Sequence, residues 1–179
     1  MTPLSPPLLL PRELRGARVH LRPWADGDVD DVFAYACDVE WARYLPVPQP
    51  YLREHAVEFL RAVQTTQSSD HYRWAIVVDG RPQGGIDLHR DASHKAMIGY
   101  SIARPLWGRG LMTEAAALVL AAAFSTWAEL VRVWSFAQVD NAASVRVMEK
   151  IGMTREGVLR KHMVHRGAAV DAVLCAIVR

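Results

Sequence analysis

The sequence predicts a mixed α/β (α+β) domain on a single sheet, with elements in the order βααβββαβαββ. Three observations lead there. Runs with strand-like alternation or β-branched and aromatic enrichment interleave with runs of helical spacing. Asp79-Gly80 separates two strand-like runs, a strong hairpin signal. A long alanine- and leucine-rich segment follows a bend with two glycines.

Taken in order, RVHLRPW (18–24) alternates and predicts the first strand. The next segment shifts to helical spacing, with Val29, Val32, Phe33 and Ala36 on one side and Asp26 as N-cap. The prolines of YLPVPQP end that region. A second helix is expected from Leu52 to about Gln67, burying Ala56, Phe59, Leu60 and Val63. RWAIVVDG, RPQGGIDLHR and KAMIGYSIAR give three strands. Met112 to Trp127 is apolar almost all round and predicts a buried helix. VRVWSFAQV is a strand, DNAASVRVMEKIGM a short helix ended by Gly152, and the remainder two strands joined around Arg166-Gly167. Residues 1–15 read as a flexible tail and 16–179 as one domain.

At 179 residues the chain is long enough for a real core, and its net charge of +2 is too small to imply a polyanion. No nucleic-acid partner is expected; the basic residues Arg160, Lys161, His162, His165 and Arg166 read as a solvated hairpin. The first residues lack a basic leader and a long apolar run, so neither a signal peptide nor a membrane contact is expected. Cys37 and Cys175 make neither a disulfide framework nor a four-ligand zinc site; both read as small core residues of a cytoplasmic protein, with no metal.

Chemistry concentrates in the bend RPLWGRGLMTEA (104–115), where strand gives way to helix. A helix N-terminus offers unsatisfied N–H donors and about half a positive charge. Glycines there let a phosphate reach the backbone. Trp107, Gly108, Arg109, Gly110, Leu111, Met112 and Thr113 therefore form a candidate pyrophosphate cradle, with Arg109 adding charge; a tight strand-to-helix turn is the competing explanation. A nucleotide P-loop is excluded by the missing Gly-Lys-Ser/Thr, and a dinucleotide fingerprint by Thr113 where its third glycine belongs.

The stretches IGYSIARPLWGRGLMTEA and DNAASVRVMEKIGMTREGVLR, in this order and spacing, resemble the GNAT superfamily of acetyl-CoA-dependent N-acetyltransferases. The nearest branch is the RimJ/RimL type, and the resemblance covers nearly the whole domain. It implies a mostly antiparallel central sheet flanked by helices, acetyl-CoA as co-substrate, and direct attack of a neutral amine on the thioester. It also implies a peptide N-terminal α-amine or a small-molecule amine as acceptor, in a monomer or homodimer. The loop matches the family pattern at Gly110, whereas Trp107 stands for a polar residue and Met112 for a small one, crowding the diphosphate position.

Direct attack needs a base, an oxyanion donor and an acid for the thiolate. The resemblance puts the oxyanion N–H near Ile98, Gly99 and Tyr100, a coenzyme amide contact at Asn141 and the acid at Ser144. Asn141 as a helix cap and Ser144 as a first-turn residue are the plainer alternatives. Relatives often carry a glutamate where this chain has Met97. By alternation Met97, Gly99 and Ser101 share one face, and Gly85, Asp87 and His89 share a face of the neighbouring strand. Asp87 or His89 is thus the candidate base, acting through water; a solvent-facing strand residue and a hairpin-end residue are the plainer alternatives. Met97, Ser101, Trp41 and Tyr44 are candidate acceptor contacts, and the acidic run from Asp26 to Glu40 is either a wall attracting a cationic amine or a solvated face. A weak base favours low-pKa acceptors. A non-catalytic acyl-CoA sensor, suggested by Met97 and Met112, and a nicotinamide-dependent oxidoreductase, with only a Gly-x-Gly behind it, are the alternative classes.

Overall fold

The computed structural model describes residues 9–65 and 70–179. Eight strands form one sheet: β1 (Leu14–Arg15), β2 (His20–Arg22), β3 (His71–Val78), β4 (Arg81–Ala92), β5 (Lys95–Ile102), β6 (Arg132–Gln138), β7 (Thr154–His165) and β8 (Ala168–Val178). Their spatial order is β1-β2-β3-β4-β5-β6-β8-β7, antiparallel except between β5 and β6. The helices are α1 (Val29–Ala36), α2 (Arg53–Thr65), α3 (Leu111–Thr126) and α4 (Ala142–Lys150).

The two faces of the sheet are covered separately. Ile86, Leu88, Ile98 and Ile102 pack with Ala115, Ala116, Val119 and Leu120 of α3 and Met148 of α4. Ala75 packs on the opposite face with Val32, Ala36, Ala56, Leu60 and Val63 of α1 and α2. Strand alternation then puts Asp87, His89, Met97, Gly99 and Ser101 on the α1–α2 side, away from α3. No helix among the described residues is long and apolar enough to cross a membrane; the apolar α3 is simply buried.

Several expectations need correction. Leu10 is buried in the core and Leu14–Arg15 pairs with β2, so the packed body begins inside the stretch expected to be a tail. The first strand is shorter than its alternation suggested, because Pro23 supplies no N–H to the ladder after Arg22. Asp26 does not cap α1: its carboxylate accepts from Gln64, while the buried Asp28 accepts the Ala25 N–H and a bidentate pair from Arg22 at 2.7 and 2.8 Å. Cys37 ends α1 exposed and is not a core residue; Cys175 is buried as expected. Phe59 keeps its outer edge in solvent and packs edge-on against Trp24 at 5.2 Å. The expected end of α2 near Gln67 lies outside the described residues. The hairpin turns hold: Asp79 and Gly80 have φ of 51° and 77°, Arg166 and Gly167 of 49° and 81°.

Candidate active site

The site begins where β5 and β6 part. Their parallel pairing runs only from Lys95↔Arg132 to Met97↔Trp134, so Ile98 onward faces a widening gap instead of a ladder. Parallel strands that separate leave backbone groups of β5 available to a ligand. A cavity of ≈ 260 Å³ occupies this region. Trp41 and Tyr44 line it from the α1–α2 side, Tyr100 and Ser101 from β5, the bend at 106–113 from one end, and α4 from the other.

The bend answers the question its two glycines raise. Gly108 and Gly110 both have left-handed backbone, with φ of 73° and 76°, which an L side chain rarely adopts. Nothing lies within 4 Å of the place a Cβ would take on Gly108, so the backbone there is approachable. Trp107, Gly108, Gly110, Leu111, Met112 and Thr113 all line the cavity. Arg109 does not; its carbonyl instead accepts from Arg18 Nη1 at 2.8 Å. Arg18 also grips Glu114 of α3, Nε to Oε2 at 2.8 Å and backbone N–H to Oε1 at 2.8 Å. Burial raises the Glu114 carboxyl, and these bonds from Arg18 outweigh it and hold the pKa below the usual range. No local pattern announces this clamp, because Arg18 and Glu114 are 96 positions apart.

The Trp107 indole N–H donates to the Ile102 carbonyl at 2.8 Å, and the residue stays 45 % exposed at the cavity. Met112 is 6 % exposed and belongs to the core. On α4, Asn141 is the N-cap, accepting the Ser144 N–H at 3.2 Å, and it also lines the cavity. Arg146 and Lys150, which the sequence reading passed over, line the same cavity one and two turns further along.

Ser144 meets a partner not foreseen. Its hydroxyl donates to the Tyr100 hydroxyl at 3.3 Å, and Tyr100 donates to the Ser144 carbonyl at 3.2 Å. Burial pushes the Tyr100 phenol up to about 12, so it keeps its proton at neutral pH. Both residues line the cavity.

Asp87 pairs across the sheet with Gly99, two residues beyond the last β5–β6 pair. A Cβ on Gly99 would stand 2.8 Å from Asp87 Oδ1. The carboxylate therefore leans over β5 toward the gap, in space that any other residue at 99 would fill. His89 faces Met97, where the sheet is still closed, and pairs with Asp91 at 3.3 Å. Asp87 thus stands beside the part of β5 that β6 has left, and His89 beside the part still paired. Ile98, Gly99, Met97, Asp87 and His89 do not themselves line the cavity.

The acidic run is not an unpaired wall. Asp28 pairs with Arg22, Asp30 with Arg53, Asp31 with Arg81 and Asp38 with Arg104. Of these acids only Glu40 reaches the cavity, 3.5 Å from Arg43. The basic hairpin is in turn more than a solvated turn. His165 Nε2 bonds the Arg43 carbonyl at 2.9 Å, and Arg166 donates to the Ala42 carbonyl at 3.2 Å. Tyr44 donates to the Asp140 carbonyl at 3.1 Å, so the segment at 42–44 is tied down from two directions.

Residues 18–154 match the family model described as an acetyltransferase (GNAT) domain. The chain is 30% identical over 167 residues to the uncharacterized N-acetyltransferase YoaA of Bacillus subtilis, covering 90% of this chain and 94% of that one. A solved GNAT-family acetyltransferase from Bacillus anthracis superposes with TM-score 0.81 at 27% identity, over 93% of this chain and 98% of the other. The fold also matches RimL, a ribosomal L7/L12 α-N-protein acetyltransferase in complex with coenzyme A, with TM-score 0.81 over 93% and 97% of the two chains. At 18% identity that likeness is one of fold alone.

Proposed function

Because this chain belongs to the GNAT acetyltransferase family, we propose that it transfers the acetyl group of acetyl-CoA directly to a low-pKa primary amine, a peptide N-terminal α-amine or a small-molecule amine. The observation that carries this reading is the gap between β5 and β6, entered by the glycine bend from one side and overhung by Asp87 on the other.

The diphosphate lies on the N–H groups of the bend, where the α3 N-terminus adds its partial positive charge. Arg146 and Lys150 supply further charge for phosphate. Backbone N–H groups freed beyond Met97 polarise the thioester carbonyl; one such donor is typically worth ~3 kcal/mol in the transition state. Asp87 takes one proton from the ammonium form of the acceptor, through water, and the neutral amine attacks the carbonyl carbon. The C–S bond breaks and the sulfur takes the Tyr100 phenol proton, which is restored from solvent by way of the Ser144 hydroxyl. The second amine proton and the one carried by Asp87 both leave to solvent and one returns to the Tyr100–Ser144 pair, so the products are an amide, a thiol and a net proton.

The acceptor preference follows from protonation. A lysine amine of pKa about 10.4 is neutral roughly once in a few thousand molecules at pH 7, whereas an α-amine near 7.8 is neutral about one time in ten. Thiol release is measured at pH 7 on matched hexapeptides, one with a free α-amine and one with only a lysine amine. The α-amine peptide should react faster; preference for the lysine peptide overturns the acceptor class. Acetyl-CoA binding without thiol release on any amine of a broad panel overturns transfer itself.

A further inference from the structure

We propose that His71 is a positioning residue for the base: it holds one oxygen of Asp87 so that the other overhangs the gap between β5 and β6. This inference rests on the reading of Asp87 above. His71 Nε2 lies 3.3 Å from Asp87 Oδ2, while Asp87 Oδ1 is the oxygen lying over Gly99. A carboxylate on a strand rotates freely unless one oxygen is fixed, and a group misplaced by about 1 Å can lose ~100-fold in rate. Among the described residues, Arg73 on β3 and Asp87 and His89 on β4 are the charged and titratable groups facing the imidazole.

The imidazole is itself gripped. Arg73 Nε donates to His71 Nε2 at 3.1 Å, Arg73 Nη2 lies 3.2 Å from Nδ1, and the His89 ring stands 5.1 Å away. Nε2 cannot serve Arg73 and Asp87 at once. With its proton it donates to Asp87; without it, it accepts from Arg73. The positioning role requires the first state, with the proton on Nε2 and the Arg73 Nε–H released from it. His71 side-chain exposure is 23%, so this hydrogen bond is sheltered and worth more than a surface one.

Two measurements test this. Long-range nitrogen–proton NMR of the wild-type protein should place the proton on Nε2 of His71, and Asp87→Asn should change that signature; a bare Nε2 in the wild type overturns the proposal, whatever the acceptor. In thiol-release assays with the α-amine hexapeptide, His71→Leu should lower kcat at least tenfold with KM for acetyl-CoA unchanged. His71→Gln, which can still donate to Oδ2, should keep kcat within about threefold. His71→Leu combined with Asp87→Asn should lose no more than Asp87→Asn alone. Equal losses for Leu and Gln, or multiplied losses in the double variant, overturn the positioning role. If Asp87→Asn itself leaves kcat unchanged, the reading of Asp87 as base fails instead. Melting temperatures of all variants separate these outcomes from unfolding.

Discussion

Gly99 is the residue on which the two halves of the site converge. Its missing side chain admits the Asp87 carboxylate, the far end of a flexible chain, so Gly99→Ala should be tolerated by the fold yet push the carboxylate aside. We expect kcat to fall ~10- to 100-fold with acetyl-CoA affinity retained, measured by steady-state kinetics and calorimetry. Tyr100 yields a second expectation. Its folded pKa of about 12 lies above the unfolded value near 10, so the folded state holds the proton more tightly. Its stability contribution is complete below pH 10 and is lost as pH rises through 12. Denaturant titrations at pH 9 and pH 12 should show a larger loss for the wild type than for Tyr100→Phe, by up to about 2 kcal/mol. Residue identity was the part of the site least visible in the sequence. Asp87 and His89 share a face and a strand, and only the point at which β6 departs from β5 distinguishes them. Nor does alternation along one strand reveal that Tyr100 meets a serine 44 positions away.

Among the elements, the bend into α3 depends on left-handed backbone and the turn into α1 on a buried ion pair. Gly110→Ala forces an L residue into left-handed backbone and should cost ~1–2 kcal/mol in chemical denaturation, with weaker coenzyme binding as well. At the other turn, Asp28 is buried and held by Arg22, whose own pKa is raised chiefly by that hydrogen bond. Asp28→Ala would strand a half-buried guanidinium and an orphaned N–H at Ala25; unfolding should become easier by ~3 kcal/mol. Most elements were legible in advance because their signals are local: period-two runs, Asp-Gly and Arg-Gly turns, and Gly152 with φ of 88° closing α4. β1 was missed because two residues are too few to show a period, and Leu10 because its burial is decided by the core it meets.

At the scale of the molecule, the sheet works as a partition. One face belongs to α3 and α4 and the other to α1 and α2, and the cavity joins them only where the parallel pair opens. A ligand spanning both sides stabilises the whole body: acetyl-CoA at 100 times its Kd adds ~2.7 kcal/mol. For a domain of this size that corresponds to a rise in Tm of roughly 5–10 °C, read by differential scanning fluorimetry. Arg146→Ala combined with Lys150→Ala should shrink that rise at the same coenzyme concentration while leaving the unliganded Tm within about 2 °C, since both are surface changes. The family's architecture could be anticipated from motif order, whereas the clamp of Arg18 on Glu114 and Arg109 is long-range and leaves no local trace.

The grip of His165 and Arg166 on the carbonyls of Arg43 and Ala42 links stretches 122 and 124 positions apart. During synthesis the coenzyme bend and its helix leave the ribosome well before that hairpin does. The wall at residues 42–43 is therefore fastened last, only once the two final strands have met it.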